Sequence, residues 1–344
     1  MSLLVPGLAE AGQSIVNGWF GNFWLVVIVK AVAVLMFFLV APLAVGYVEH
    51  KVLAHMQSRL GPMEAGNFHG WAQLVADGVK FVQKEDIIPA AADRWVFSLA
   101  PAVAMIPYIV IMVAIPFSPT IFALNLDIGI FFVMAMGSVS VIGVLMAGWS
   151  SANKFSLIGA LRAAAQLIAY ELPLVLAAAA VVMQAGTLSL VGIVEAQDGL
   201  WNIVRPYQLI GFIIFIIASL AELTRPPFDM PVADSEIIFG AYTEYTGLKF
   251  AFFLLAEYGG IVALSAIASV LYLGGYRPLP LLGFIPEPFW MLGKIGFLSF
   301  IVIWLRATYP RLREDQLQRG SWLYLIPLSL VLIMVTAVWK IYTR

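Results

Sequence analysis

Long apolar stretches, set between connections that hold nearly all of the charge, constrain this chain more than any other feature. A helix that crosses a bilayer needs roughly 20 mostly apolar residues. About eight runs qualify, near 23–47, 95–117, 128–149, 167–187, 207–222, 250–273, 289–306 and 322–340. Lipid offers the backbone no hydrogen-bond partners, so such runs must be helices. The expected fold is an all-α membrane protein of about eight transmembrane helices, one integral membrane domain over 1–344. A soluble chain of 344 residues would divide into two or three domains, but 62% hydrophobic and only 11% charged residues overrule that prior. The first run is too long for a signal peptide, has no charged region before it and no small-residue cleavage site after it. It reads as a retained helix.

The basic residues set the expected orientation, because Lys and Arg are held on the cytoplasmic side. The first, third, fifth and seventh connections carry thirteen: Lys51, Arg59, Lys80, Lys84, Arg94, Lys154, Arg162, Arg225, Lys249, Arg306, Arg311, Arg313 and Arg319. The other connections and the termini carry four, Arg205, Arg277, Lys340 and Arg344, while Lys30 and Lys294 fall inside spans. The large loops, about 48–94, 149–166, 223–249 and 307–321, are thus expected in the cytoplasm, with both termini outside it. Segment 71–84 alternates Trp71, Leu74, Val75, Val79, Phe81 and Val82 with Gln73, Asp77, Lys80 and Lys84, the pattern of an amphipathic helix lying at the interface.

Several function classes drop out. A formal charge of −1 leaves no basic surface for nucleic acid. With no cysteine the chain forms no disulfide, holds no Cys-ligated zinc or iron–sulfur cluster and has no thiolate nucleophile. His50, His55 and His69 share loop one without an H-E-x-x-H pattern, so no metal is expected. There is no P-loop and no dinucleotide fingerprint.

Ionisable groups inside a bilayer cost at least about 2.5–3.5 kcal/mol each on insertion scales and persist where a partner or a wet cavity compensates. Glu171 lies in Tyr170-Glu171-Leu172-Pro173, at the expected head of the fourth span, and Glu257 lies within the sixth beside Tyr258 and Gly259-Gly260, a pair that permits close helix approach. Glu222 ends the fifth span, and Asp229, Asp234, Glu236 and Glu244 follow it. These acids form either a proton path or a set of structural ion pairs with Arg225, Arg162, Lys154, Lys30 or Lys294. Pro226, Pro227 and Pro231 stiffen loop five, where Arg225, Phe228, Asp229 and Met230 either clamp the polar head of a flat amphiphile or fasten the loop to a partner. Loop one offers Gln57, Arg59, Gly61 and Pro62. Loop seven, with Arg306, Tyr309, Pro310, Arg311, Arg313, Asp315 and Gln316, has the content of a docking face.

These loops carry a family resemblance. Gln57-Ser58-Arg59-Leu60-Gly61-Pro62, Ala76-Asp77-Gly78-Val79-Lys80 and Lys84-Glu85 resemble the first cytoplasmic loop of the membrane subunit called H in bacterial respiratory complex I, the proton-translocating NADH:quinone oxidoreductase. Gly148-Trp149-Ser150-Ser151, Leu161 to Gln166 and Tyr170-Glu171 are similar to its third loop. Glu222 to Pro231, Tyr242-Thr243-Glu244-Tyr245 and Glu257-Tyr258 are similar to its acidic fifth, and Arg306 with Tyr309-Pro310-Arg311 and Asp315-Gln316-Leu317 to its seventh. The chain departs from the family pattern at His50, where Arg is common, and at Val232 and Asp234, where Glu is common.

The resemblance implies eight helices in a tilted bundle where the membrane arm meets the peripheral arm, in the bacterial inner membrane. It implies quinone as substrate, in a tunnel shared with a partner subunit and lined here by Gln57, Arg59, Arg225, Phe228 and Asp229. It also implies that Glu171, Glu222, Asp234, Glu236, Glu244 and Glu257 link that tunnel to a proton-conducting axis. Iron–sulfur clusters and FMN are then expected in partner subunits, with no cofactor and no complete active site in this chain alone. Two alternatives stay open: an ion-translocating subunit of a related membrane-bound hydrogenase, and a stand-alone transporter, which the lack of half-repeats disfavours.

Overall fold

A computed structural model describes residues 23–232, 234–279 and 284–342, with the side chains of all but 206, 234 and 235. Among the described residues every regular element is helical. In chain order these are α1 (Phe23–Met56), α2 (Gln73–Gln83), α3 (Arg94–Ala114), α4 (Gly129–Ser150), α5 (Lys154–Ala185), α6 (Leu190–Glu195) and α7 (Pro206–Glu222). They continue with α8 (Asp234–Ile237), α9 (Gly247–Tyr272), α10 (Glu287–Thr308), α11 (Glu314–Arg319) and α12 (Ile326–Tyr342), with a π-helical segment Gly320–Leu325 joining the last two. Seven described helical runs are long and apolar enough to cross a membrane, and the shorter apolar helix Tyr207–Glu222 makes the eighth. The sequence-predicted architecture is therefore the observed one.

Two of the described helices overrun the bilayer by the most. At 1.5 Å per residue, α1 (34 residues) and α5 (32 residues) are about 51 and 48 Å long, against a hydrocarbon core of about 30 Å. The segment 154–166, expected as loop three, is in fact the opening of α5. Asn153 caps it, its side chain accepting from the Phe155 N–H at 2.9 Å, and the Ala- and Leu-rich run that follows favours helix despite Lys154 and Arg162. Glu171 accordingly sits mid-helix rather than at a helix head.

Helix α9 lies at the centre of the bundle, buried almost continuously from Gly259 to Tyr272, whereas α1 is mostly exposed. A Cβ at Gly259 would stand 2.6 Å from the Phe38 ring of α1, and one at Gly260 2.9 Å from Leu223, so the glycine pair is what lets neighbours seat against α9. The orphan carbonyls at the end of α9 find donors: Gln197 Nε2 reaches Val270 O at 2.7 Å, Asn202 Nδ2 reaches Leu271 O at 2.8 Å, and the Lys294 ammonium donates to Leu273 O, Gly275 O and Arg277 O at 2.7 Å each. Lys294 also lies 4.2 Å from the centre of the Trp201 ring. Lys30, part-buried, donates to Ala123 O, and among the described residues neither it nor Lys294 forms an ion pair with an acid.

The four charged loops interlock at the opposite end. Arg162 reaches both Glu236 (2.5 Å) and Glu314 (3.9 Å), Arg311 reaches Asp229 (2.9 Å), Lys249 reaches Asp86 (2.9 Å), and Asn153 donates to Glu244 (2.6 Å). Helix α2, the interfacial helix read from 71–84, packs beside α1 and α9 and turns Val75, Val79 and Val82 outward.

Candidate functional site

Beneath loop five lies a cavity of about 220 Å³, walled by α3, α4, α5, α7, α9, α10 and the loop itself. The loop is held in place from α5. Gln166, buried, donates from Nε2 to Ala221 O (2.8 Å), before the turn, and to Phe228 O (2.7 Å), beyond it. Thr224 takes a left-handed φ of 50°, Phe228 N–H returns to Arg225 O at 2.8 Å, and loop seven closes over the top through Leu312 N–H to Pro227 O at 3.0 Å. A Cβ at Gly240 would lie 1.6 Å from Pro231 O, so only glycine lets the following segment pass there.

Arg225 is the anchor of the cavity wall. Its Nη1 donates to Glu49 Oε2 at 2.6 Å, and its Nε lies 2.6 Å from Glu257 Oε1 without its N–H being aimed along that line, which makes the second contact an ion pair rather than a hydrogen bond. The guanidinium also covers the Tyr258 ring, 4.8 Å from its centre. Glu49 Oε1 accepts from Arg306 as well. Two acids and two arginines, from α1, α9, α10 and loop five, thus neutralise one another. For the fully buried Glu49–Arg225 pair such neutrality is required: removing one partner of a buried pair leaves an uncompensated charge, at a cost of about 3–5 kcal/mol. Burial alone pulls the Arg225 guanidinium toward neutrality, but Glu257 and Glu49 outweigh it and hold it more firmly cationic than an ordinary arginine.

Asp229 lies at the cavity rim, where burial pushes its carboxyl up to about 6 although Arg311 opposes the shift. Glu236, by contrast, is exposed, and the hydrogen bond and charge of Arg162 hold it below the usual range. Burial keeps the phenols of Tyr242 and Tyr245 well above their ordinary range.

A second, smaller cavity of about 20 Å³, enough for roughly one water, lies deeper and is lined by Glu171, Ser138 and Leu174 among others. Ser138 donates to Glu171. Glu222 walls both cavities, and its Oε2 is buried with no hydrogen-bond partner.

The structure thus brings Arg225, Asp229, Glu222 and Glu257 to one cavity and Glu171 to the next. It does not bring the others there. Gln57 and Arg59 pair with each other on the exposed surface after α1 (2.7 Å), and Phe228 points into the core against the Tyr170 ring, 5.3 Å between centres. Glu236 and Glu244 belong to the loop ion pairs and hydrogen bonds, and the Asp234 side chain lies outside those described. Sequence reasoning about the site misses Glu49, Tyr108 and Ser140. The signal for Glu49 is an acid one turn past an apolar run whose helix does not stop there. Among the described residues no group of three or more His, Cys, Asp or Glu side chains could hold a metal ion.

Comparison with known proteins adds an independent finding. The sequence profile of a family described as NADH dehydrogenase matches residues 29–337. The chain is 46% identical over 292 residues to the NADH-quinone oxidoreductase subunit called H of Geobacillus thermodenitrificans (strain NG80-2), covering 85% of this chain and 87% of that one. It is 45% identical over 316 residues to the subunit of the same name from Dehalococcoides mccartyi (strain CBDB1), covering 92% and 87%.

Proposed function

The chain belongs to the NADH dehydrogenase family of membrane subunits, and on that premise we propose that it serves as a membrane subunit of a proton-translocating NADH:quinone oxidoreductase. In that role it shares a quinone tunnel with a partner subunit and couples quinone reduction to proton movement through its acids. The observation that carries the reading is the cavity beneath loop five, in which Arg225, Asp229, Glu222 and Glu257 converge and from which Glu222 leads to the chamber of Glu171. Phe239, Tyr242 and Phe250 wall both this cavity and a groove of about 520 Å³ that runs past Phe81 and Ile87 of loop one, a course suited to a flat amphiphile with a polar head.

On this reading Arg225 and Asp229 flank the quinone head, Phe228 backs the loop, and Gln57 and Arg59 stand on the loop-one surface that a partner covers. Glu222, Glu257 and Glu171 carry protons, with Asp234, Glu236 and Glu244 on the loop side. Iron–sulfur clusters and FMN reside in partner subunits of the peripheral arm. The chain sits in the bacterial inner membrane with its charged loops in the cytoplasm and both termini outside. The names of its relatives support the quinone enzyme over a hydrogenase component or a transporter.

Glu222→Gln and Glu257→Gln in the assembled enzyme test the proton path. Each is expected to lower proton-coupled quinone reduction by on the order of a hundredfold or more, the scale of a lost proton-transfer group. Wild-type turnover together with wild-type pumping in both variants would overturn it.

A further inference from the structure

The orphaned oxygen of Glu222 needs an explanation. A buried polar atom without a partner is rare in folded proteins, and a carboxylate so placed is more costly still. Among the donors that line its cavities, Tyr108 is the one whose placement matches that of Glu222. Among the described residues, Tyr108 is the one hydroxyl-bearing residue that borders both cavities, and Glu222 is the one other residue that does. The Tyr108 hydroxyl now lies 3.3 Å from Ser140 Oγ. Ser140 donates its own proton to Gly137 O at 2.8 Å, so between these two hydroxyls Tyr108 is the donor. The Tyr108 ring is seated by Gly260, where a Cβ would stand 3.1 Å from two of its carbons.

We propose that Tyr108 is a positioning residue for the acid path: its phenol switches its single donated hydrogen bond between Ser140 and Glu222, in step with the charge on Glu222. The inference rests on the reading of Glu222 as a proton carrier. When Glu222 holds its proton, the phenol donates to Ser140 and the neutral acid tolerates the dry contact. When Glu222 gives that proton to the Glu171 chamber, the phenol turns and donates to the bared Oε2. When the proton returns, the phenol goes back to Ser140. The phenol keeps its own proton throughout and Ser140 keeps its bond to Gly137 O, so the proton that leaves Glu222 forms its new O–H bond on the Glu171 carboxylate, and of the hydrogen bonds only the phenol's changes partner. The exchange gives the carboxylate a donor at Oε2, the oxygen that is itself closed to solvent.

The test uses the intact enzyme carrying Tyr108→Phe, Ser140→Ala or Glu222→Gln, with assembly checked on native gels. Infrared difference spectra on quinone reduction should contain a carboxyl band that Glu222→Gln abolishes. That band should shift in Tyr108→Phe, and turnover should fall on the order of tenfold, the scale of one lost hydrogen bond to a charged group. Ser140→Ala removes the competing acceptor, so it should move the same band while keeping most of the turnover; it also provides the reading if Tyr108→Phe fails to assemble. An unshifted Glu222 band in both variants, or wild-type turnover in Tyr108→Phe, overturns the switch. Should Glu222→Gln itself turn over and pump normally, the acid path fails; a defective Glu222→Gln beside a normal Tyr108→Phe removes the switch alone.

Discussion

Asp229 shows how one side chain can register two opposing forces. Arg311 donates to it at 2.9 Å and favours its charge, yet burial wins and lifts the carboxyl from its ordinary 3.8 to about 6. The sign of the linkage follows: between about pH 4 and 6 the closed loop binds a proton that the open loop does not, so closure weakens as pH rises through that window. The total effect is on the order of 3 kcal/mol. Amide exchange at Leu312, whose N–H bonds loop five at Pro227 O, is therefore expected to be more protected near pH 4.5 than near pH 6.5 once intrinsic exchange is corrected. Asp229→Asn should flatten that dependence; an unchanged slope in Asp229→Asn would assign it to another group. Asp229, Arg225, Glu222 and Glu257 are legible in the sequence because charge beside long apolar runs is expensive and stands out. Glu49 is not, since Glu49-His50-Lys51 reads as ordinary loop charge until α1 is seen to continue through it. Tyr108 and Ser140 are also illegible, because a hydroxyl in an apolar helix bonds locally as readily as it serves a site.

At the scale of elements, hydropathy finds the part of each helix that crosses lipid, and that is why the eight spans emerge from the sequence while the start of α5 and the end of α1 do not. Helix continues wherever propensity and caps allow, in water as well as in lipid. Two of the interior prolines, Pro173 and Pro101, share a pattern that only the packed structure exposes. Pro173 cannot bond Ala169 O, and Ser321, from the π-helical segment, donates there instead; Pro101 likewise frees Phe97 O, which accepts from the Tyr245 hydroxyl at 3.0 Å. In each case a partner from another element completes the helix, so the proline becomes a docking point. Ser321→Ala should then cost about 1–3 kcal/mol, the range for a buried carbonyl left without a donor. In a Pro173→Ala background, where the restored N–H serves Ala169 O, the same change should cost much less. Thermal inactivation midpoints of the four solubilised enzymes check this, and additive losses would mean that Ser321 acts through some other contact.

Across the whole molecule the two ends treat charge differently. At the loop end, arginines and acids from four separate connections meet in ion pairs, and Lys80, Lys84, Arg313 and Arg319 stay at the surface. At the other end Lys294 and Lys340 spend their protons on backbone carbonyls, Lys340 on Met183 O at 2.5 Å, and Arg277 on Asp198. Arg344 lies outside the described residues. Topology responds to Lys and Arg near the span ends and hardly at all to acids, so pairing at the loop end does not cancel its retention in the cytoplasm. The prediction is that the loop end faces the cytoplasm, and the cysteine-free sequence makes it simple to test, because one introduced thiol is the chain's only one. Ala196→Cys, exposed beyond α6, should react with an impermeant maleimide in spheroplasts, whereas Glu64→Cys, exposed in loop one, should react only in inside-out vesicles or after permeabilisation. Labelling of Glu64→Cys in spheroplasts, or of Ala196→Cys only in inside-out vesicles, would invert the molecule. It would put the cavity beneath loop five on the side of the membrane where no NADH is made, and the proposed function would fall with the orientation.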